Sequence, residues 1–218
     1  MPMPAQKAIL WDMDGVLADT SPLHFQTWER VLSELSIPFD RQKFRHIFGL
    51  KNDDLLAYLV GKPLEPTWVK QVSDYKEAEF RRALTGRIQL LPGVKDWLER
   101  FKSWGWKQAV ASSAPPENVE ALVDELSIRD YFAALVTPGN LPGKPDPAVF
   151  LEAARQLGVS PKNCIVIEDS IAGVEAAYRA RMRCIAVTTT NPPEVLTQAD
   201  IVVVSLELLT INQVESLF

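Results

Sequence analysis

The stretch Trp11-Asp12-Met13-Asp14-Gly15-Val16-Leu17-Ala18-Asp19-Thr20 continues the short apolar run that begins at Ala8 and ends it in two carboxylates spaced two residues apart. An apolar run that stops in polar chemistry has the pattern of a strand buried in a parallel sheet, its C-terminal end turned toward a site. Similar runs recur at Gln108-Ala109-Val110-Ala111, Cys164-Ile165-Val166-Ile167, Cys184-Ile185-Ala186-Val187 and Ile201-Val202-Val203-Val204, with a weaker one at Ala134-Leu135-Val136. Between them, helical periodicity covers Gly93 to Trp104, Pro116 to Leu126, Pro147 to Leu157 and Ile171 to Arg181. Alternating strands and helices predict an α/β fold, a doubly wound, Rossmann-like parallel sheet with right-handed crossovers. Ligands in such sheets bind beyond the carboxyl ends of the strands, where strand order reverses. Asp12 and Asp169 both follow strands of this set.

The alternation breaks once. From Pro22 to Gly86 helical patterns follow one another without a strand, at Pro22 to Leu35, Asp40 to Ile47, Asp53 to Val60 and Pro66 to Leu84, separated by stops at Gly49, Gly61 and Pro63. The expected layout is therefore a core of residues 1–20 and 87–218 carrying an inserted helical cap of residues 21–86. The insert is entered through Asp19-Thr20-Ser21 and left through Thr85 to Gly93.

The composition agrees with one full core plus a smaller unit: 218 residues, 47% hydrophobic, against typical domains of roughly 100 to 200 residues. A net charge of −5 with scattered Lys and Arg argues against a nucleic-acid partner, because such binding rests on clustered positive charge. No apolar run approaches the roughly 18 residues of a membrane span, and the first residues lack the pattern of a signal peptide. A cytoplasmic monomer without a membrane partner is expected. Cys164 and Cys184 lie inside apolar runs without CxxC spacing, as buried thiols in a reducing compartment do.

Four stretches carry candidate chemistry, and each has an ordinary explanation when taken alone. Asp12-Met13-Asp14-Gly15 reads as an Asp-Gly turn. Ser112 in Val110-Ala111-Ser112-Ser113 reads as a helix N-cap or as a phosphate ligand at a helix N-terminus. Lys144 in Gly143-Lys144-Pro145-Asp146-Pro147 reads as a solvated loop lysine or as a cation aimed by two rigid prolines. Glu168-Asp169-Ser170 offers two more carboxylates at a strand end, the first solvated or the second capping the next helix in the plain reading. Two carboxylates at about 4 Å repel by roughly 4 kcal/mol at an effective dielectric near 20. A cluster of them persists when a divalent cation holds it together, and hard oxygen ligands without His or Cys point to Mg²⁺.

Taken in order, Asp12-x-Asp14-Gly15, Ser112, Lys144-Pro145 and Glu168-Asp169 resemble the four motifs of the haloacid dehalogenase superfamily of phosphotransferases. The resemblance covers nearly the whole chain. The insertion after the first motif is similar to the four-helix cap of the subgroup that contains β-phosphoglucomutase and small sugar phosphatases. The resemblance implies that the first and fourth strands lie side by side and that Asp12 attacks phosphorus to form an aspartyl-phosphate. Asp14 would act as acid and base. Asp12, Asp169, the Asp14 carbonyl and Glu168 would hold Mg²⁺, while Ser112 and Lys144 would grip the phosphate oxygens. The carboxylate at Asp14 argues against a dehalogenase. A non-catalytic phospho-acceptor module would share Asp, Mg²⁺, hydroxyl and Lys, but such a module has no helical lid.

Substrate choice is expected from the cap. Asp19 to Trp28 resembles the hinge and first cap helix of β-phosphoglucomutase, which singles out Thr20 and His24, with Trp28 read as packing. Lys76-Glu77-Ala78-Glu79-Phe80 is similar to a segment whose lysine faces substrate there; on residue type alone Lys76 reads as a solvated helix lysine. Asn52 stands where the mutase carries an arginine for a second phosphate, and Lys51 is adjacent, though a point charge does not reproduce a guanidinium fork. The expected function is a Mg²⁺-dependent phosphatase of small phosphate monoesters, sugar phosphates foremost, with a β-phosphoglucomutase-like mutase as the alternative.

Overall fold

The computed structural model describes residues 5–47 and 52–218. It divides into two compact units, one of residues up to Asp19 together with Gln89–Phe218, the other Thr20–Ile88.

In the first unit, β1 (Ala8–Trp11) is followed, beyond the insert, by α5 (Val94–Ser103), β2 (Lys107–Ala111), α6 (Pro116–Glu125), β3 (Ala134–Val136), α7 (Ala148–Leu157), β4 (Cys164–Glu168), α8 (Ile171–Arg179), β5 (Arg183–Val187), β6 (Ile201–Val203) and α9 (Ile211–Glu215). The strands form a parallel sheet in the order β3-β2-β1-β4-β5-β6. The expected doubly wound sheet is present, with β1 and β4 side by side. Each strand of this central pair is buried along its whole length, because helices cover both faces. One face packs Ala8, Leu10, Ala109, Cys164 and Val166 against Val149, Phe150, Ala153 and Val174. On the other, the Trp11 indole donates to Gln108 Oε1 at 2.9 Å, and Gln108 Nε2 donates to Leu98 O at 2.9 Å, so the buried amide is paired at both ends.

Register sets the site. Trp11 stands opposite Val110 on one side and Ile167 on the other, and Asp12 N extends the ladder by donating to Ile167 O at 2.9 Å. The chain winds outward from β1 through β2 to β3, then returns to β4 and continues the other way. The reversal falls between β1 and β4, and Asp12 and Glu168 project where both strands end. The helix-like stretch to Glu215 was not foreseen in the sequence; its five residues are held by a capping box in which Thr210 and Gln213 exchange side-chain bonds.

The second unit contains α1 (Ser21–Glu34), α2 (Arg41–Ile47), α3 (Asn52–Val60) and α4 (Pro66–Leu84). Phe25, Trp28, Val31 and Leu32 of α1 form its core with Phe44, Leu55, Leu56 and Val72. Trp28 is thus a packing residue. Among the described residues no helix is long and apolar enough to cross a membrane. Both cysteines are free and buried, and burial pushes the Cys164 thiol up to about 12, which keeps it protonated and inert.

Candidate active site

Asp12 leaves β1 as a buried carboxylate. Lys144, on the loop before α7, reaches it across the sheet edge: its Nζ donates to Asp12 Oδ1 at 2.5 Å, to Glu168 Oε1 at 2.7 Å and to Ala111 O at 3.2 Å. The ammonium also lies 4.8 Å from the centre of the Phe150 ring. A solvated loop lysine is excluded, since this side chain is 6% exposed. Its peptide bond to Pro145 is cis.

Glu168 ends β4 fully buried. While Oε1 takes the lysine, Oε2 accepts from Asp169 N, Ser170 N and Ser170 Oγ at 2.8, 2.8 and 2.9 Å. Ser170, not Asp169, caps α8, its Oγ accepting from Gly173 N at 3.0 Å. Both plain explanations of this pair therefore fail, and Asp169 is available to the cluster. The Asp169 carboxylate accepts from the Thr190 hydroxyl, and its main-chain carbonyl accepts from Asn191 Nδ2 at 3.0 Å. Sequence reasoning passed over Thr190 and Asn191. Their only signal is a run of hydroxyl and amide side chains directly after β5, Thr188-Thr189-Thr190-Asn191.

Ser112 follows β2, buried, with its N donating to Val136 O at 3.0 Å and its Oγ accepting from Ala114 N at 3.0 Å. It does not cap α6, whose N-cap is Pro115. The accepting bond orients the hydroxyl, which keeps one O–H to donate. Asp14, half-buried, lies in a tight turn closed by Gly15 N to Ala18 O at 2.8 Å.

Asp12, Glu168 and Asp169 each offer an oxygen within 4.8 Å of the others. The Asp14 carboxylate is not a member of that group, though its charge is felt at Asp12. Burial, opposed by Lys144 and reinforced by Glu168 and Asp14, pushes the Asp12 carboxyl up to about 8. Burial, with Glu168 and Asp12 adding to it, pushes Asp169 up to about 9. Burial acts to lower Lys144, but Asp12 and Glu168 outweigh it and hold the ammonium charged above its ordinary value. With all three carboxylates ionised, one ammonium would leave negative charge uncompensated in a dry site, which is why Asp12 and Asp169 hold their protons above the ordinary carboxylate range. An all-oxygen set of that sign suits a hard divalent cation.

The second unit holds a polar cluster of its own. Lys76 is 2% exposed, which corrects the solvated reading: it lies four residues after Val72 and four before Phe80, on the buried stripe of α4. Its Nζ is 2.8 Å from His24 Nδ1 and donates to Glu77 Oε1 at 2.9 Å, over the rings of Trp28 and Phe80. An ammonium donor makes Nδ1 the acceptor and puts the ring proton of His24 on Nε2. His24 stacks on Phe80 at 4.0 Å between centroids. Asn52 Nδ2 donates to the same Glu77 oxygen at 2.8 Å. Burial would raise Glu77, but Lys76 and Asn52 together hold it below its ordinary value. Thr20 is buried at the start of α1, where its carbonyl accepts from Leu23 N and His24 N at 3.0 Å. Lys51 and the stop at Gly49 lie outside the described residues. Glu77 was not foreseen.

Residues 6–181 match the profile of the haloacid dehalogenase-like hydrolases. The chain is 34% identical over 205 residues to a β-phosphoglucomutase of Bacillus subtilis, covering 90% of this chain and 88% of that one. It is 34% identical over 179 residues to a phosphorylated carbohydrates phosphatase of Thermotoga maritima, covering 80% and 81%. The crystal structure of a β-phosphoglucomutase from Clostridium difficile superposes with a TM-score of 0.87 at 26% identity, covering 97% of this chain and 96% of that one.

Proposed function

Because the chain belongs to the haloacid dehalogenase-like hydrolase family, we propose that it is a Mg²⁺-dependent phosphatase of small phosphate monoesters, sugar phosphates in particular, working through an aspartyl-phosphate on Asp12. The observation that carries this reading is the convergence of Asp12, Lys144, Glu168 and Asp169 at the carboxyl ends of β1 and β4.

Asp12 is the nucleophile: a carboxylate oxygen forms a bond to phosphorus as the bond to the leaving oxygen breaks, and water then cleaves the acyl phosphate. Asp14 gives its proton to the leaving oxygen and takes one from the incoming water. Lys144 and Ser112 donate to the non-bridging oxygens, where fixed donors do most of the work of phosphoryl transfer. Glu168 fixes Lys144, because one of its oxygens holds the ammonium while the other is anchored by backbone N–H groups. Asp12, Asp169 and the Asp14 carbonyl, within the negative field of Glu168, would hold Mg²⁺. The cation would neutralise charge on the transferring phosphoryl group.

In the cap, Thr20, His24, Asn52, Lys76 and, by sequence, Lys51 are proposed to select the alcohol being released. A mutase is the second reading, favoured by the Bacillus subtilis relative. Against it stands Asn52, an amide engaged by Glu77, where a mutase needs a guanidinium for its second phosphate. Phosphate release from a panel of sugar monophosphates, run beside conversion of β-glucose 1-phosphate with and without a bisphosphate primer, tests the choice. Mg²⁺-dependent release is expected. Primer-dependent conversion with negligible release overturns the phosphatase reading in favour of the mutase.

A further inference from the structure

Thr190 and Asn191, in the loop after β5, hold the same aspartate twice. The Thr190 hydroxyl donates to Asp169 Oδ2, and Asn191 Nδ2 donates to the Asp169 main-chain oxygen. Independent support comes from the opposite side of the site. Gly15 has φ +79, and a Cβ there would collide with Asp169 Oδ2 and Cγ and with Thr190 Oγ1. A left-handed backbone alone would admit Asn. Glycine is demanded because the hydroxyl–carboxylate pair occupies the space of its missing side chain. The turn after β1 is thus shaped around the bond that Thr190 makes.

We propose that Thr190 is a positioning residue that selects Mg²⁺ over Ca²⁺ by committing one oxygen of Asp169 to the protein. This rests on the reading that Asp12, Glu168 and Asp169 surround a divalent cation. A carboxylate whose Oδ2 is engaged and whose plane is fixed presents its other oxygen, and ligates through that oxygen alone. Mg²⁺ demands near-octahedral geometry with single-oxygen ligation, whereas Ca²⁺ accepts six to eight oxygens in flexible geometry, commonly with both oxygens of one carboxylate. Removing the hydroxyl frees the carboxylate to rotate and to offer both oxygens. That change harms the small, strict ion and not the large, tolerant one.

Calorimetric titration of the metal-free full chain with Mg²⁺ and, separately, with Ca²⁺ tests this. Thr190→Val keeps the volume and removes the donor, Thr190→Ala removes both, and Thr190→Ser restores the donor. Circular dichroism identifies which variants are folded, and either donor-less variant suffices for the comparison. Mg²⁺ affinity is expected to fall about 10-fold or more in Thr190→Val or Thr190→Ala, with a much smaller change for Ca²⁺ and recovery in Thr190→Ser. Equal losses for the two ions, or unchanged Mg²⁺ affinity, overturns the proposal. A wild-type chain that binds neither ion overturns the cation reading beneath it, a result distinct from a wild-type chain that binds Mg²⁺ and a variant that binds it equally well.

Discussion

Gly173 gives the Glu168 carboxylate the room it occupies: a Cβ at this position of α8 would collide with Oε1, Oε2 and Cδ of Glu168. The side chain it would displace is pinned by Lys144, by two backbone N–H groups and by the Ser170 hydroxyl. Helix formation alone favours alanine over glycine by about 1 kcal/mol. Hydrogen bonds to charged groups are worth about 1.5 to 3 kcal/mol each. Gly173→Ala should therefore destabilise the chain by about 2 to 4 kcal/mol in urea unfolding and reduce phosphate release, since the Lys144 ammonium loses its anchor. A variant as stable as wild type would mean that Glu168 swings aside freely.

The acidic cluster makes the metal-free protein sensitive to pH in a defined sense. The Asp12 and Asp169 carboxyls are raised from 3.8 to about 8 and about 9. Between about pH 4 and about pH 8 the unfolded chain has released protons that the folded chain keeps, so stability falls as pH rises through that window. In chelator-treated protein the melting temperature should drop from about pH 5 to about pH 8. Millimolar Mg²⁺ should reverse most of that drop, raising the melting temperature more at the alkaline end, because only ionised carboxylates bind it. Differential scanning calorimetry across this range checks both parts, and a Mg²⁺ effect independent of pH would count against the cluster as the binding site.

Asp12→Asn separates fold from chemistry. The amide keeps the shape of the carboxylate and an oxygen for the Lys144 bond seen at 2.5 Å, but it is not a nucleophile. Circular dichroism should be unchanged, with phosphate release undetectable. The metal-free variant should melt higher than wild type near pH 8, having lost one of three crowded like charges. Residual turnover at wild-type rate would remove Asp12 from its role.

The sheet was legible in the sequence because a strand buried on both faces leaves an unbroken apolar run, and Ile165-Val166-Ile167 and Ala8 to Trp11 are such runs. The carboxylates of the site were legible because each directly follows one of them: Asp12 after β1, Glu168 and Asp169 at the end of β4. Thr190 and Asn191 were hidden for a physical reason. They act on Asp169 through hydrogen bonds made possible by an absent Cβ at Gly15, and no periodicity records a bond between residues so far apart. The plain reading of Lys76 as a solvated helix lysine fails because it weighs residue type above position. Its spacing from Val72 and Phe80 places it on the buried stripe of α4, and the carboxylate that makes a buried ammonium tolerable stands next to it in the chain.

That pairing is open to a double-mutant test. Lys76 and Glu77 form an ion pair at 2.9 Å with side chains 2% and 9% exposed. Water offers little compensation when one partner is removed, and breaking a buried pair typically costs about 3 to 5 kcal/mol. Lys76→Met should therefore be strongly destabilising, because the buried Glu77 carboxylate loses the ammonium that holds it charged. Adding Glu77→Gln removes that buried charge while keeping an oxygen for Asn52, and replacing both charges of a buried pair is often close to neutral. Urea unfolding of the two single variants and the double variant measures the coupling. The double variant is expected to regain most of the stability lost in Lys76→Met. Strictly additive losses would show that Lys76 is held by its aromatic neighbours, Trp28 and Phe80, and not by the carboxylate.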